Sequence, residues 1–125
     1  MHENDLSFYV RKAIFRVFNG LGPGLFESVY AKALCKELSE MGLKVRDEVA
    51  LPFIYNETPM QAGFRIDIIV EDKVIIEVKS VDALGEIHHK QLLTYLKLSG
   101  KKLGLLVNFN TSDITTSIIR KVNNL

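Results

Sequence analysis

The chain lacks most of the residues that mark a specialised class. One cysteine, Cys35, stands among 125 residues, so no internal disulfide can form and the composition suits a reducing compartment. There is no tryptophan and there are only three prolines, too few for a proline-rich linker. No apolar run approaches the ~20 residues of a membrane span. The opening stretch "MHENDLSFYVRK" mixes its charges and spaces its apolar residues, unlike a secretory leader. A cytoplasmic protein without a membrane segment is expected. Charge of one sign is also missing: 16 Lys and Arg against 15 Asp and Glu leave a net +1. Dedicated nucleic-acid binders usually show a larger basic excess, so any contact with nucleic acid has to be local, metal-assisted or weak.

What is present is ordinary for a globular protein: 47% apolar and 25% charged residues. The length is that of a single domain, 1–125, large enough to bury a core. Leu6, Tyr9, Val10, Ala13, Ile14, Val17 and Phe18 recur at helical spacing. They predict a helix over about 5–19, capped by Asn4 or Asp5 and stopped by Asn19-Gly20. After "GLGPG", a second helix is expected from Pro23 or Gly24. Its stripe is Phe26, Val29, Tyr30, Ala33, Leu34, Leu38 and Met41, with Gly42 at its end. The period then changes. Val45, Val49, Leu51, Phe53 and Tyr55 predict a long or bent strand, with Pro52 at an edge or bulge. "FRIDIIV" (64–70) and "VIIEVKS" (74–80) read as strands joined by "EDK", 84–98 as a helix, and "LGLLVNF" (103–109) as a buried strand. A short helix over about 112–122 is expected from Ile114, Ile118, Ile119 and Val122. The order α-α-β-β-β-α-β-α implies an α/β protein with a mixed four- to five-stranded sheet, a parallel crossover and helices on both faces.

The "EDK" hairpin carries the functional signal. A three-residue loop sets Val70 against Val74, Ile68 against Ile76, Asp67 against Glu77 and Arg65 against Lys79. A one-residue slip would exchange the faces. Only the odd loop lines up Phe64, Ile66, Ile68, Val70, Val74, Ile76 and Val78 on one face, leaving Arg65, Asp67, Glu77 and Lys79 together on the other. Opposed carboxylates repel, more strongly when partly buried. A hard divalent cation with water completing its shell would remove that cost. Neutralisation by Arg65 and Lys79 in a purely structural ion cluster is the other reading.

An acidic residue on one strand followed by Glu-x-Lys on the next, here Asp67 and then Glu77-Val78-Lys79, resembles the PD-(D/E)XK nuclease superfamily. Ile66 stands where the superfamily name has proline. "GLFESVY" (24–30) resembles the signature of the small prokaryotic GxxExxY proteins. "LPFIY", "HHKQLLTYLKLSG" and "LGLLVNF" extend the likeness over about residues 5–122.

The resemblance implies a three-layer α/β/α restriction-endonuclease-like fold and a metal-dependent nuclease hydrolysing nucleic-acid phosphodiester bonds, with DNA as the expected substrate and magnesium or manganese as cofactor. It makes Asp67 and Glu77 metal ligands, with the Val78 carbonyl between them and Glu27 from the second helix as further ones. It puts Lys79 at the attacking water or the phosphate, and Gln91 beside Lys79. Tyr30 and Tyr95 are expected in the core, with the Tyr30 hydroxyl bonded toward the site. His88 and His89, adjacent on a helix, point about 100° apart and do not make a zinc pair with Cys35. The alternative function is a non-catalytic binding or assembly module on the same fold, acting with a protein partner that supplies affinity. Neither reading sets the oligomeric state.

Overall fold

The computed structural model describes the backbone of residues 1–125 and every side chain except that of Ala62. Two helices, α1 (Glu3–Leu21) and α2 (Glu27–Glu40), lead into β1 (Val45–Tyr55), β2 (Thr58–Val70) and β3 (Val74–Lys79). Then come α3 (Glu86–Ser99), β4 (Leu103–Asn108), a 3-10 turn (Ile114–Thr116) and β5 (Ile118–Val122). The five strands form one mixed sheet in the order β1-β2-β3-β4-β5. Only β3 and β4 run parallel, the pair joined through α3 as strand-helix-strand spacing requires.

Helix α1 is capped by His2, whose Nδ1 accepts the Asn4 N–H, and it runs on to Gly22 rather than stopping at Asn19-Gly20. Leu6, Val10, Ala13, Ile14 and Val17 are its buried stripe. Helix α2 starts at Glu27, later than expected, with Phe26 at its cap. Consequently Phe26 (82% exposed) and Val29 lie outside the core, and only Tyr30, Leu34 and Leu38 are buried from this helix. Both helices pack on one sheet face over Ile68, Val70, Val74, Ile76, Val78, Leu103, Leu105 and Val107. On the other face α3 lays Leu92, Tyr95 and Leu96 over Ile66, Ile69, Ile75 and Leu106. Gly104 on β4 is where α3 comes closest: a Cβ there would meet Leu92 Cδ1 at 2.6 Å.

Two expectations are overturned. The segment expected as a C-terminal helix is a 3-10 turn and an edge strand. Asp113 takes the Thr115 N–H and hydroxyl, which breaks the run early. The β-branched Ile118 and Ile119 then pair with Val107 and Leu106 of β4, as such side chains favour. The second concerns faces. Ile66 and Phe64 pack toward α3, whereas Ile68 and Val70 pack toward α1 and α2. The strands change face here. Asp47 pairs with Ile68 and Val49 with Ile66, but Glu48 and Asp67 between them make no ladder pair, and Glu48 has φ 48°. Val45 accordingly sits with the α1 and α2 face, and Val49 and Leu51 with the α3 face. Pro52 falls at a register shift on the edge strand β1, as its missing N–H demands. Strand β2 also begins earlier than residue 64, turning back from β1 through Asn56 and Glu57 at positive φ.

Candidate active site

The expected hairpin register is present: Val70 pairs with Val74, Ile69 with Ile75 and Ile68 with Ile76, around Glu71-Asp72-Lys73. The ladder ends there. One step further, at the change of face, Asp67 and Glu77 are joined crosswise instead of backbone to backbone. Glu77 Oε2 accepts the Asp67 N–H at 2.8 Å, and Asp67 Oδ2 accepts the Val78 N–H at 2.8 Å. Each carboxylate thus substitutes for a missing strand bond and keeps a second oxygen for another partner. Glu77 is 2% exposed. Burial, and after it the charge of Asp67, push its carboxyl up to about 8, although Lys79 opposes this. Burial also raises Asp67, against the pull of the Val78 N–H and Lys79.

Lys79 ends β3, and its Nζ donates to Gln91 Oε1 on α3 at 3.3 Å. Sheet alternation sends Glu77 and Lys79 to the α3 side, the face of Ile75. Tyr95, one turn beyond Gln91, is core, with its ring edge on Phe64. Its hydroxyl lies by the Arg65 backbone and Gln91, and burial followed by the charge of Glu77 raises its pKa. Arg65 does not join the carboxylates as expected: its guanidinium is exposed and meets Glu48 at 4.0 Å. The turn of face at Asp67 removes it from Lys79. His88 is used locally, its Nδ1 accepting the Gly85 N–H at the start of α3. Cys35 is half-buried, and burial and Asp47 push its thiol up to about 11.

Glu27 reaches the site from the first turn of α2. Its Oε2 accepts the Ser80 N–H at 3.1 Å, and its charge acts on both Asp67 and Glu77. Glu27, Ser28, Ala31, Lys32, Asp47, Glu48, Asp67 and Val78 wall a cavity of about 220 Å³. Tyr30 is fully buried and its hydroxyl bonds not to the carboxylates but to the segment leading to Glu27, donating to Gly22 O and accepting from Leu25 N–H.

Among the described residues no three His, Cys, Asp or Glu side chains converge as a ready-made metal cage. The chemistry of the donors still suits a hard cation. Two carboxylates, each with one oxygen tied and one to spare, stand beside the Val78 backbone, and magnesium typically takes one or two carboxylates and fills its shell with water and phosphate. Burial of Glu77 next to Asp67 is costly without a cation, which is why its proton is held so tightly.

Ser80, Lys32 and Asn108 did not stand out in the sequence. Lys32 was hidden because a lysine on an amphipathic helix reads as a solvated face. Asn108 is buried, takes the Val81 and Asn110 N–H groups and donates to Val81 O, fixing the chain as it leaves β3.

Comparison with known proteins gives a consistent picture. A family model described as the PD-(D/E)XK nuclease superfamily matches residues 4–121. The fold is similar to that in the crystal structure of SSO0001, with 25% sequence identity and a TM-score of 0.58 over 79% of this chain and 51% of that one. This chain therefore spans about half the length of that protein. No curated protein matches it. Among the described residues no helix is long and apolar enough to cross a membrane.

Proposed function

We propose, from the premise that this chain belongs to the PD-(D/E)XK nuclease superfamily, that it is a metal-dependent nuclease of GxxExxY type. It would act as a single restriction-endonuclease-like domain that cleaves phosphodiester bonds, with DNA as the preferred substrate. One observation carries the reading. Asp67 and Glu77 grip each other's strands at the point where β2 and β3 part, with Lys79 two residues on and held by α3.

Asp67, Glu77, the Val78 carbonyl and Glu27 are the groups that would hold magnesium or manganese. The ion would supply charge stabilisation at a phosphate oxygen and raise the nucleophilicity of water. Val78 faces the opening for a structural reason. Strand backbone groups alternate sides, and Lys79 O accepts the Phe109 N–H on the β4 side, so those of Val78 face the gap toward β2. Lys79 places a positive charge beside the carboxylates, where it can orient the attacking water or stabilise charge developing on the phosphate. Gln91 holds the Lys79 ammonium through its carbonyl. Water gives up one proton as its oxygen bonds to phosphorus, the bond to the leaving oxygen breaks, and that oxygen takes up a proton, so that no net proton is gained or lost by the protein.

One feature favours the second reading, a binding module that works with a protein partner: the near-zero net charge. One paired experiment tests both. Thermal melts with and without magnesium or manganese are run beside a nicking assay on several DNA and RNA forms. Asp67→Asn and Glu77→Gln should lose the metal-induced stabilisation, and Lys79→Ala should keep it. All three should abolish nicking, whereas His89→Ala, on the wall of a different cavity, should not. Equal melting shifts in the wild type and Asp67→Asn reject the metal site. A clear shift without cleavage of any substrate selects the binding module.

A further inference from the structure

The three site carboxylates share one device. Each has one oxygen tied to a backbone N–H of β2, of β3 or of the residue that follows β3: Glu77 to Asp67, Asp67 to Val78 and Glu27 to Ser80. The last two N–H groups belong together. Val78 and Ser80 are two apart, so both face the side that β2 has left after the Ile68–Ile76 pair. Strand divergence strands two donors, and Asp67 and Glu27 satisfy them. For Asp67 the bond is built into the hairpin. For Glu27 it depends on how the start of α2 is docked against the end of β3.

That docking rests on Leu25, two residues before Glu27. Its carbonyl accepts the Ser80 hydroxyl at 2.7 Å, and its N–H is taken by the Tyr30 hydroxyl at 3.1 Å. Tyr30 also donates to Gly22 O and is itself immobilised, its ring stacked on Phe109 with centroids 4.3 Å apart. Gly22 and Gly24, at φ 71° and 91°, let the chain fold into this clamp where a side chain would be strained. Gly24-x-x-Glu27-x-x-Tyr30 is thereby one construction: a turn residue, the presented carboxylate, and the anchor one turn later that grips the approach.

We infer that Ser80 is a positioning residue for Glu27, acting together with Tyr30 through their shared hold on Leu25. The inference rests on the metal-site reading above. Ser80 acts through Glu27: its N–H fixes one Glu27 oxygen and its hydroxyl fixes the helix start, which leaves the other Glu27 oxygen for the cavity. Residues that orient a ligand in this way commonly change metal affinity by 10–100-fold when removed.

The test uses manganese alone as the probe, titrated against the full chain and read by thermal shift, with nicking measured in parallel. Ser80→Ala should weaken apparent manganese affinity about 10-fold, and Tyr30→Phe, which releases Leu25 from the other side, should act in the same direction. Ser80→Thr keeps the hydroxyl and should restore affinity. Ser80→Ala combined with Glu27→Gln should be no worse than Glu27→Gln alone, because Ser80 acts only through Glu27. A Ser80→Ala protein that melts lower without metal yet titrates manganese like the wild type overturns the inference, as does a double variant in which the two losses add. The parent reading fails separately: a wild type that manganese does not stabilise removes the metal site, and this inference with it. A wild-type shift that Asp67→Asn abolishes but Ser80→Ala leaves intact rejects this inference alone.

Discussion

The buried Glu77 carboxyl should make the metal-free protein less stable as pH rises, and Glu77→Gln should remove that loss. In the unfolded chain this glutamate ionises near its ordinary 4.5, whereas in the folded protein burial and Asp67 hold the proton to about 8. Between those values the folded state binds more protons than the unfolded state. The contribution is therefore fully present below pH 4.5 and is lost as pH climbs through 8. A rise of that size corresponds to about 5 kcal/mol at most, or about 1.4 kcal/mol for each pH step in the window. Glutamine cannot ionise, and its carbonyl can still accept the Asp67 N–H. The assay is urea unfolding in chelator at pH steps from 5 to 9, taking wild type minus Glu77→Gln so that titrating groups away from the Asp67–Glu77 pair cancel. The difference should move against the wild type by a few kcal/mol across the window. Magnesium, if it is held here, should restore wild-type stability at pH 8 and do nothing for the variant. Parallel pH profiles for the two proteins would refute the argument, because they would mean that Glu77 is ionised in the fold as freely as in water.

Three further substitutions check the packing around the site. Gly104→Ala drives a methyl to 2.6 Å from Leu92 Cδ1 and should cost about 1–3 kcal/mol in denaturant unfolding by pushing α3 off the sheet. Phe26→Ala should change stability by less than about 0.5 kcal/mol, since the ring is 82% exposed and makes no cap bond; a large loss by thermal melt would return Phe26 to the core. Asn108→Ala strips partners from the Val81 and Asn110 backbone groups, with an expected cost of about 2–3 kcal/mol in the same unfolding assay.

Sequence periodicity was enough to locate α1, α3 and the strands from β1 to β4, because each buries a stripe or a face whose spacing repeats along the chain. Loop parity was enough to set the register Ile68–Ile76, since only that register keeps Ile68, Val70, Val74, Ile76 and Val78 on one face. The juxtaposition of Asp67, Glu77 and Lys79 followed from two strands and a three-residue turn, all local. The change of face at Glu48 and Asp67 was not legible. Alternation assumes an unbroken strand, and one left-handed residue shifts every later side chain. On β2 the matching break falls at Asp67, which makes no ladder pair, and it took Ile66 to α3 and Arg65 out of the site. The last segment reads as helix in the sequence because Ile118, Ile119 and Val122 fit either period over so short a run, and only the open edge of β4 makes it a strand. Ser80 and Tyr30 are 50 residues apart in the chain, and each alone is an ordinary serine and an ordinary core aromatic. Their joint hold on Leu25 exists only because α2 docks where β2 and β3 separate, and that is a property of tertiary packing that no local pattern encodes.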